Sequence, residues 1–97
     1  MKLAWHDLAR DELREALLYY REHAGQRVAE NFNTAVMRVA KQLLQFPELG
    51  SRTGGSARRF PMHDYPYSLV YRVDTAQIHI IAVANQSRRP GYWAGRW

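Results

Sequence analysis

The chain has 97 residues, of which 46% are hydrophobic and 12% aromatic, enough for one compact core and not two, so a single domain over residues 1–97 is expected. It contains no cysteine, which excludes a disulfide framework and any thiolate metal site. The net charge of +5 comes from 14 Lys and Arg against 9 Asp and Glu, and Lys2 and Lys41 are the only lysines, so the surplus is arginine, whose planar fork suits phosphate or carboxylate.

Met1 to Trp5 alternates apolar residues with Lys2 and reads as an edge strand leading into a helix. Asp7 is placed to cap that helix, and the stripe Ala9, Leu13, Ala16, Leu17, Tyr20, Ala24 keeps three-and-four spacing until Gly25. A second helix beginning by Arg27 carries the stripe Val28, Phe32, Ala35, Val36, Val39, Leu43, and Pro47 stops it. Joined by a short Gly-containing turn, the two make a helical hairpin. Pro47 to Ser56 holds Gly50, Gly54 and Gly55 and reads as a loop crossing to a sheet. Arg58 to Met62 is a short strand, for which Pro61, having no N–H to donate, predicts an edge position. Ser68–Val73 and Gln77–Ala84, separated by Asp74-Thr75-Ala76, form a β-hairpin whose second arm is apolar enough for the middle of a sheet. Along its first arm Leu69, Tyr71 and Val73 share one side, and Val70 and Arg72 the other.

The order is therefore β-α-α-β-β-β with a short C-terminal helix or tail. This is an α+β fold in which the helical hairpin packs on one face of a small, largely antiparallel sheet and leaves the other face partly open. The N-terminus has no apolar run of signal-peptide length, and no segment approaches the ~20 apolar residues of a membrane span. A cytoplasmic location without membrane partners is expected.

Arg58, Arg59, Arg72, Arg88 and Arg89 come from three segments that neighbour one another in such a sheet, and converging cations bind phosphates or an acidic protein segment. Tyr92 and Trp93 follow the last pair and are candidates to stack on bases. The plainer reading is that these arginines are solvated residues guarding the sheet rims. His63 and His79 are the histidines nearest the basic group and candidate general bases, although a lone histidine in a turn or on an outward strand position is more often a surface residue. No spacing of metal ligands, no phosphate-cradling glycine loop and no nucleophilic triad is present, and no cofactor is expected. Trp93, Trp97, Tyr19 and Tyr20 are apolar candidates for a partner surface, with core packing as the alternative for at least one of them.

Taken together, the element order, the loop Phe46-Pro47-Glu48-Leu49-Gly50, the strand Arg59-Phe60-Pro61, the strand Tyr67-Ser68-Leu69-Val70-Tyr71-Arg72-Val73 and the tail Arg88-Arg89-Pro90-Gly91-Tyr92-Trp93 resemble the RelE/ParE superfamily of type II toxins, of plasmid stabilisation type, over essentially the whole chain. The resemblance implies a small basic toxin held in a heteromeric complex by a cognate antitoxin with an acidic toxin-binding segment. Members like RelE cleave mRNA on the ribosome; members like ParE poison DNA gyrase. The cleaving branch relies on an arginine where this chain has Ser68, a later arginine where it has Gln86, basic residues matched by Arg58 or Arg59, and a terminal tyrosine matched by Tyr92. With two of those cations replaced, the expectation is a gyrase inhibitor without catalysis of its own, binding its target through Arg58, Arg59, Arg72, Arg88, Arg89, Tyr92 and Trp93. The alternatives are a ribosome-dependent endoribonuclease using Arg59, Arg72, Arg88 and Tyr92, and an inactive paralogue that only binds antitoxins.

Overall fold

In the computed structural model, which describes residues 1–96, the elements run β1 (Lys2–Trp5), α1 (Asp7–Ala24), α2 (Gln26–Gln45), β2 (Ser51–Arg52), β3 (Ala57–Pro61), β4 (Tyr67–Val73) and β5 (Gln77–Asn85). The sheet order is β1-β5-β4-β3-β2, with β1 parallel to β5 and every other pairing antiparallel.

The β4–β5 hairpin closes where its polar residues predict. Asp74 turns its carboxylate back to accept the Ala76 and Gln77 N–H groups at 2.9 and 2.8 Å, which is why three residues suffice for the reversal. Apolar alternation then sorts the two faces: Leu69, Tyr71, Ile78, Ile80 and Val83 join the core under the helices, while Val70, Ala82 and Ala84 lie on the opposite face. A bulge opposite Val70 and Tyr71 lets Ile81 and Ala82 both face that second side.

On the helical side, α2 buries Ala29, Phe32, Val36, Ala40 and Leu43, and α1 buries Ala9 and Ala16. The Phe32 ring lies about 5 Å from those of Tyr20, Tyr65 and Tyr67, tilted or edge-to-face, so Tyr20 belongs to this aromatic cluster, whereas Tyr19 beside it stays exposed. Gly25, at φ 98°, both ends α1 and starts α2. A side chain there would be strained, so the glycine makes the one-residue junction possible.

Several expectations need correction. His6 caps α1 in place of Asp7: its Nδ1 accepts the Leu8 N–H at 3.1 Å, and Asp7 sits in the first turn near the helix's positive end. The stretch expected as a loop contains β2, whose pairing with Arg58 and Arg59 places β3 inside the sheet. Pro61 is tolerated because it extends beyond β2, so its missing N–H faces no strand on that side. No C-terminal helix forms among the described residues; 91–95 is a run of turns. On the second face, in keeping with its partly open character, Trp93 covers one part, buried against Ala57, Val70, Ile81, Ala82 and Ala84. Trp97, named with it as a partner-surface candidate, lies outside the described residues.

Candidate functional site

The site is built at the end of the sheet where β5 runs out. After Asn85 the chain reverses: the Asn85 side-chain oxygen accepts from both the N–H and the hydroxyl of Ser87, and Arg88 N–H returns to the Asn85 carbonyl at 3.0 Å. Gln86 is held by its own N–H on the Pro66 carbonyl and by its side-chain amide on the Tyr67 carbonyl. The tail thus folds back over the second face of the sheet, where Trp93 packs.

What clamps the tail is Glu12. β1 stops opposite Ile80, so among the described residues the rim of β5 beyond it has no neighbouring strand. Glu12 reaches over from α1 and accepts the Val83 N–H at 3.0 Å, while Arg96 donates to the Ile81 carbonyl at 3.0 Å and to the Glu12 carboxylate at 2.9 Å. An ion pair with both side chains only 14% exposed therefore satisfies the backbone where a strand is missing. The other Glu12 oxygen accepts the Tyr92 hydroxyl at 2.8 Å, and Arg88 and Arg96 lie 4.0 and 5.1 Å from the centre of the Tyr92 ring. Burial, the bond to Glu12 and its negative charge push the Tyr92 phenol far above its ordinary range, against the opposing pull of the two arginines. The Tyr92 hydroxyl is thus already engaged by Glu12, and the Arg88 guanidinium covers one face of its ring.

The five arginines divide. Arg59 and Arg88 line one cleft, about 240 Å³ in volume, together with Ser68, Gln86, Tyr92 and Trp93. Arg72 is half-buried on the same face of the sheet, opposite Ala57 and His79, and Arg89 is exposed in the turn beyond. Arg58 points the other way. It shares the helix-facing side with Tyr71, and its guanidinium donates to the Gly50 carbonyl at 2.8 Å. Tyr71, fully buried, accepts the Gly50 N–H and donates to the Pro47 carbonyl, each at 2.8 Å, so Arg58 and Tyr71 together pin the loop after α2. Alternation along β3 is the reason that adjacent arginines part company.

Neither histidine lines the cleft. His79 bonds the Asp74 carboxylate at 2.9 Å across the hairpin turn, and His63 projects into solvent beside Asp64. Among the described residues no group of His, Cys, Asp and Glu side chains could hold a metal ion, and no helix is long and apolar enough to cross a membrane. Glu12 and Arg96 are the residues that sequence reasoning missed. A signal for Glu12 existed: it sits three residues after Ala9 and four before Ala16, so it is an acid on the buried stripe of α1, where a carboxylate must find partners. Arg96 carried no such mark.

A helical hairpin on one face of a five-stranded sheet, with its first strand parallel to the last and a basic tail returning across the other face, defines a RelE/ParE superfamily toxin. The sequence profile described as "ParE toxin of type II toxin-antitoxin system, parDE" matches residues 3–90, and the chain belongs to that ParE toxin family. A solved structure titled "Chromosomal ParDE TA system from P. aeruginosa" superposes with a TM-score of 0.78 at 22% identity, covering 88% of this chain and 95% of that one. Comparison with curated proteins finds no match.

Proposed function

We propose that this chain is a ParE-like toxin that arrests growth by binding and inhibiting DNA gyrase, without catalysis of its own, and that a cognate antitoxin neutralises it in the cytoplasm. The observation that carries this reading is the makeup of the cleft, where two arginines stand beside Ser68, Gln86 and a phenol already donated to Glu12. Phosphoester cleavage needs a group that takes a proton and another that returns one. Among the described residues the cleft offers no histidine or carboxylate for the first role, and the Tyr92 hydroxyl is already donated to Glu12, whose bond and charge favour its protonated form. Binding by charge needs none of these. Arg59, Arg72, Arg88 and Arg89 form the target-facing patch, Tyr92 and Trp93 hold the tail that presents it, and Arg58 contributes through the loop it anchors.

The antitoxin segment suits the seam between the helical hairpin and β1. There Trp5, Leu13, Leu17 and Met37 line an apolar hollow of about 350 Å³ edged by Arg10 and Arg14, which fits an amphipathic segment bearing acids. The experiment adds the purified protein to a gyrase supercoiling reaction and, separately, to a translating extract. Inhibition of supercoiling with intact mRNA is expected. Cleaved mRNA with unimpaired supercoiling would replace this reading with the ribonuclease one, and inactivity in both with antitoxin binding retained would make the chain an inactive paralogue.

A further inference from the structure

Ser68 is the one buried polar residue of the sheet, 1% exposed, and its hydroxyl has no hydrogen-bond partner among the described residues. Buried hydroxyls are ordinarily paired, because leaving one unpaired forfeits the bonds it made to water. Ser68 occupies the β4 rung opposite Ala84, and both line the cleft that Arg59 and Arg88 enter. Among the described residues neither guanidinium makes an ion pair: Arg88 rests on the Tyr92 ring, and the Arg59 side chain makes no hydrogen bond there. The other cations around the tail are spent within the fold, Arg96 on Glu12 and Arg58 on the Gly50 carbonyl. The cleft therefore combines two guanidinium groups without an acidic partner among the described residues, a neutral donor at its floor and apolar walls from Pro90, Ala84 and Trp93.

We propose that this cleft is a socket for one acidic side chain, a Glu or Asp presented by a protein partner. A carboxylate on an aliphatic stem matches both features, since its oxygens take the arginine forks and the Ser68 hydroxyl while its methylenes lie against the apolar wall. A nucleic-acid strand matches less well. It wants cations spaced along a track and open aromatic faces for its bases, whereas Trp93 is buried and Arg88 covers the Tyr92 ring. The socket shares cations with the target-facing patch and so refines that reading by naming what the patch grips. Its test does not involve gyrase, so either can fail alone.

The full-length, 15N-labelled protein is titrated with N-acetyl-glutamate methylamide, with the corresponding glutamine compound and with dimethyl phosphate, while the Ser68 amide and the arginine Nε resonances are followed. Saturable shifts at Ser68, Arg59 and Arg88 with the glutamate compound are expected, with the other two ligands at least about tenfold weaker, the factor that one charge-assisted hydrogen bond supplies. Arg59→Gln and Ser68→Ala should each weaken glutamate binding and Arg38→Gln, on the remote face of α2, should not. Arg59 is exposed and Ser68→Ala only removes an oxygen, so both variants fold. Discrimination below tenfold, dimethyl phosphate binding as well as glutamate, or an Arg59→Gln variant that binds normally would overturn the socket.

Discussion

Removing the Glu12 carboxylate is the sharpest perturbation available, because one side chain holds α1, the bare rim of β5 and the tail together. Glu12→Ala strands the Val83 N–H, the Tyr92 hydroxyl and most of the Arg96 charge, leaving that guanidinium, among the described residues, the Ile81 carbonyl and the Tyr92 ring. Breaking one side of a buried ion pair typically costs 3–5 kcal/mol. At 14% exposure for both partners some water reaches the stranded groups, so about 3 kcal/mol is the reasoned value. For a domain of this size that corresponds to a fall in melting temperature of roughly 12–24 °C. The free energy that docks the tail sets a ceiling on the loss, for once residues 88–96 detach nothing further is forfeited. Urea unfolding measures the total, and hydrogen exchange at the Val83 amide reports the rim directly. Glu12→Ala combined with Arg96→Met should recover part of the loss, since a stranded charge costs more than an absent pair. A destabilisation below about 1 kcal/mol with Val83 still protected would refute the reasoning.

Tyr92→Phe should cost about 1 kcal/mol by urea unfolding through the lost bond to Glu12, and should leave growth arrest on expression intact; loss of arrest in a variant that still folds would return Tyr92 to a catalytic role. Gly50→Ala sets a Cβ 2.8 Å from the Tyr71 ring and hydroxyl and 2.9 Å from the Arg59 carbonyl, so the loop must shift and break the Gly50–Tyr71 bond, a loss of about 1–3 kcal/mol readable by thermal melting. The backbone N–H groups of the hairpin turn and the bond to His79 lower the Asp74 carboxyl from its ordinary 3.8 to about 2. Because the folded value is depressed, its stabilisation is complete above about pH 4 and is lost as the pH falls towards 2. Asp74→Asn should flatten that part of the melting temperature against pH curve, and an unchanged slope there would dismiss the turn as the acid-sensitive element.

The sequence by itself determined what depends on local pattern and composition. Period-two alternation in Ser68–Val73 and Gln77–Ala84 marked the central hairpin, three-and-four spacing marked both helices, and the loop-to-tail motifs marked the superfamily, because each of these is written in neighbouring residues. What only the tertiary structure decided depends on which distant groups share a space. Arg58 and Arg59 are adjacent in the chain, yet the pleat sends one to anchor a loop and the other to the cleft, and two paired residues, Ser51 and Arg52, were enough to make a rim strand of an apparent loop. The clamp of Glu12 on Tyr92 and Arg96 joins residues some 80 positions apart. That pairing arises from the rim β1 leaves bare, whose unpaired backbone groups demand partners and draw the two ends of the chain together.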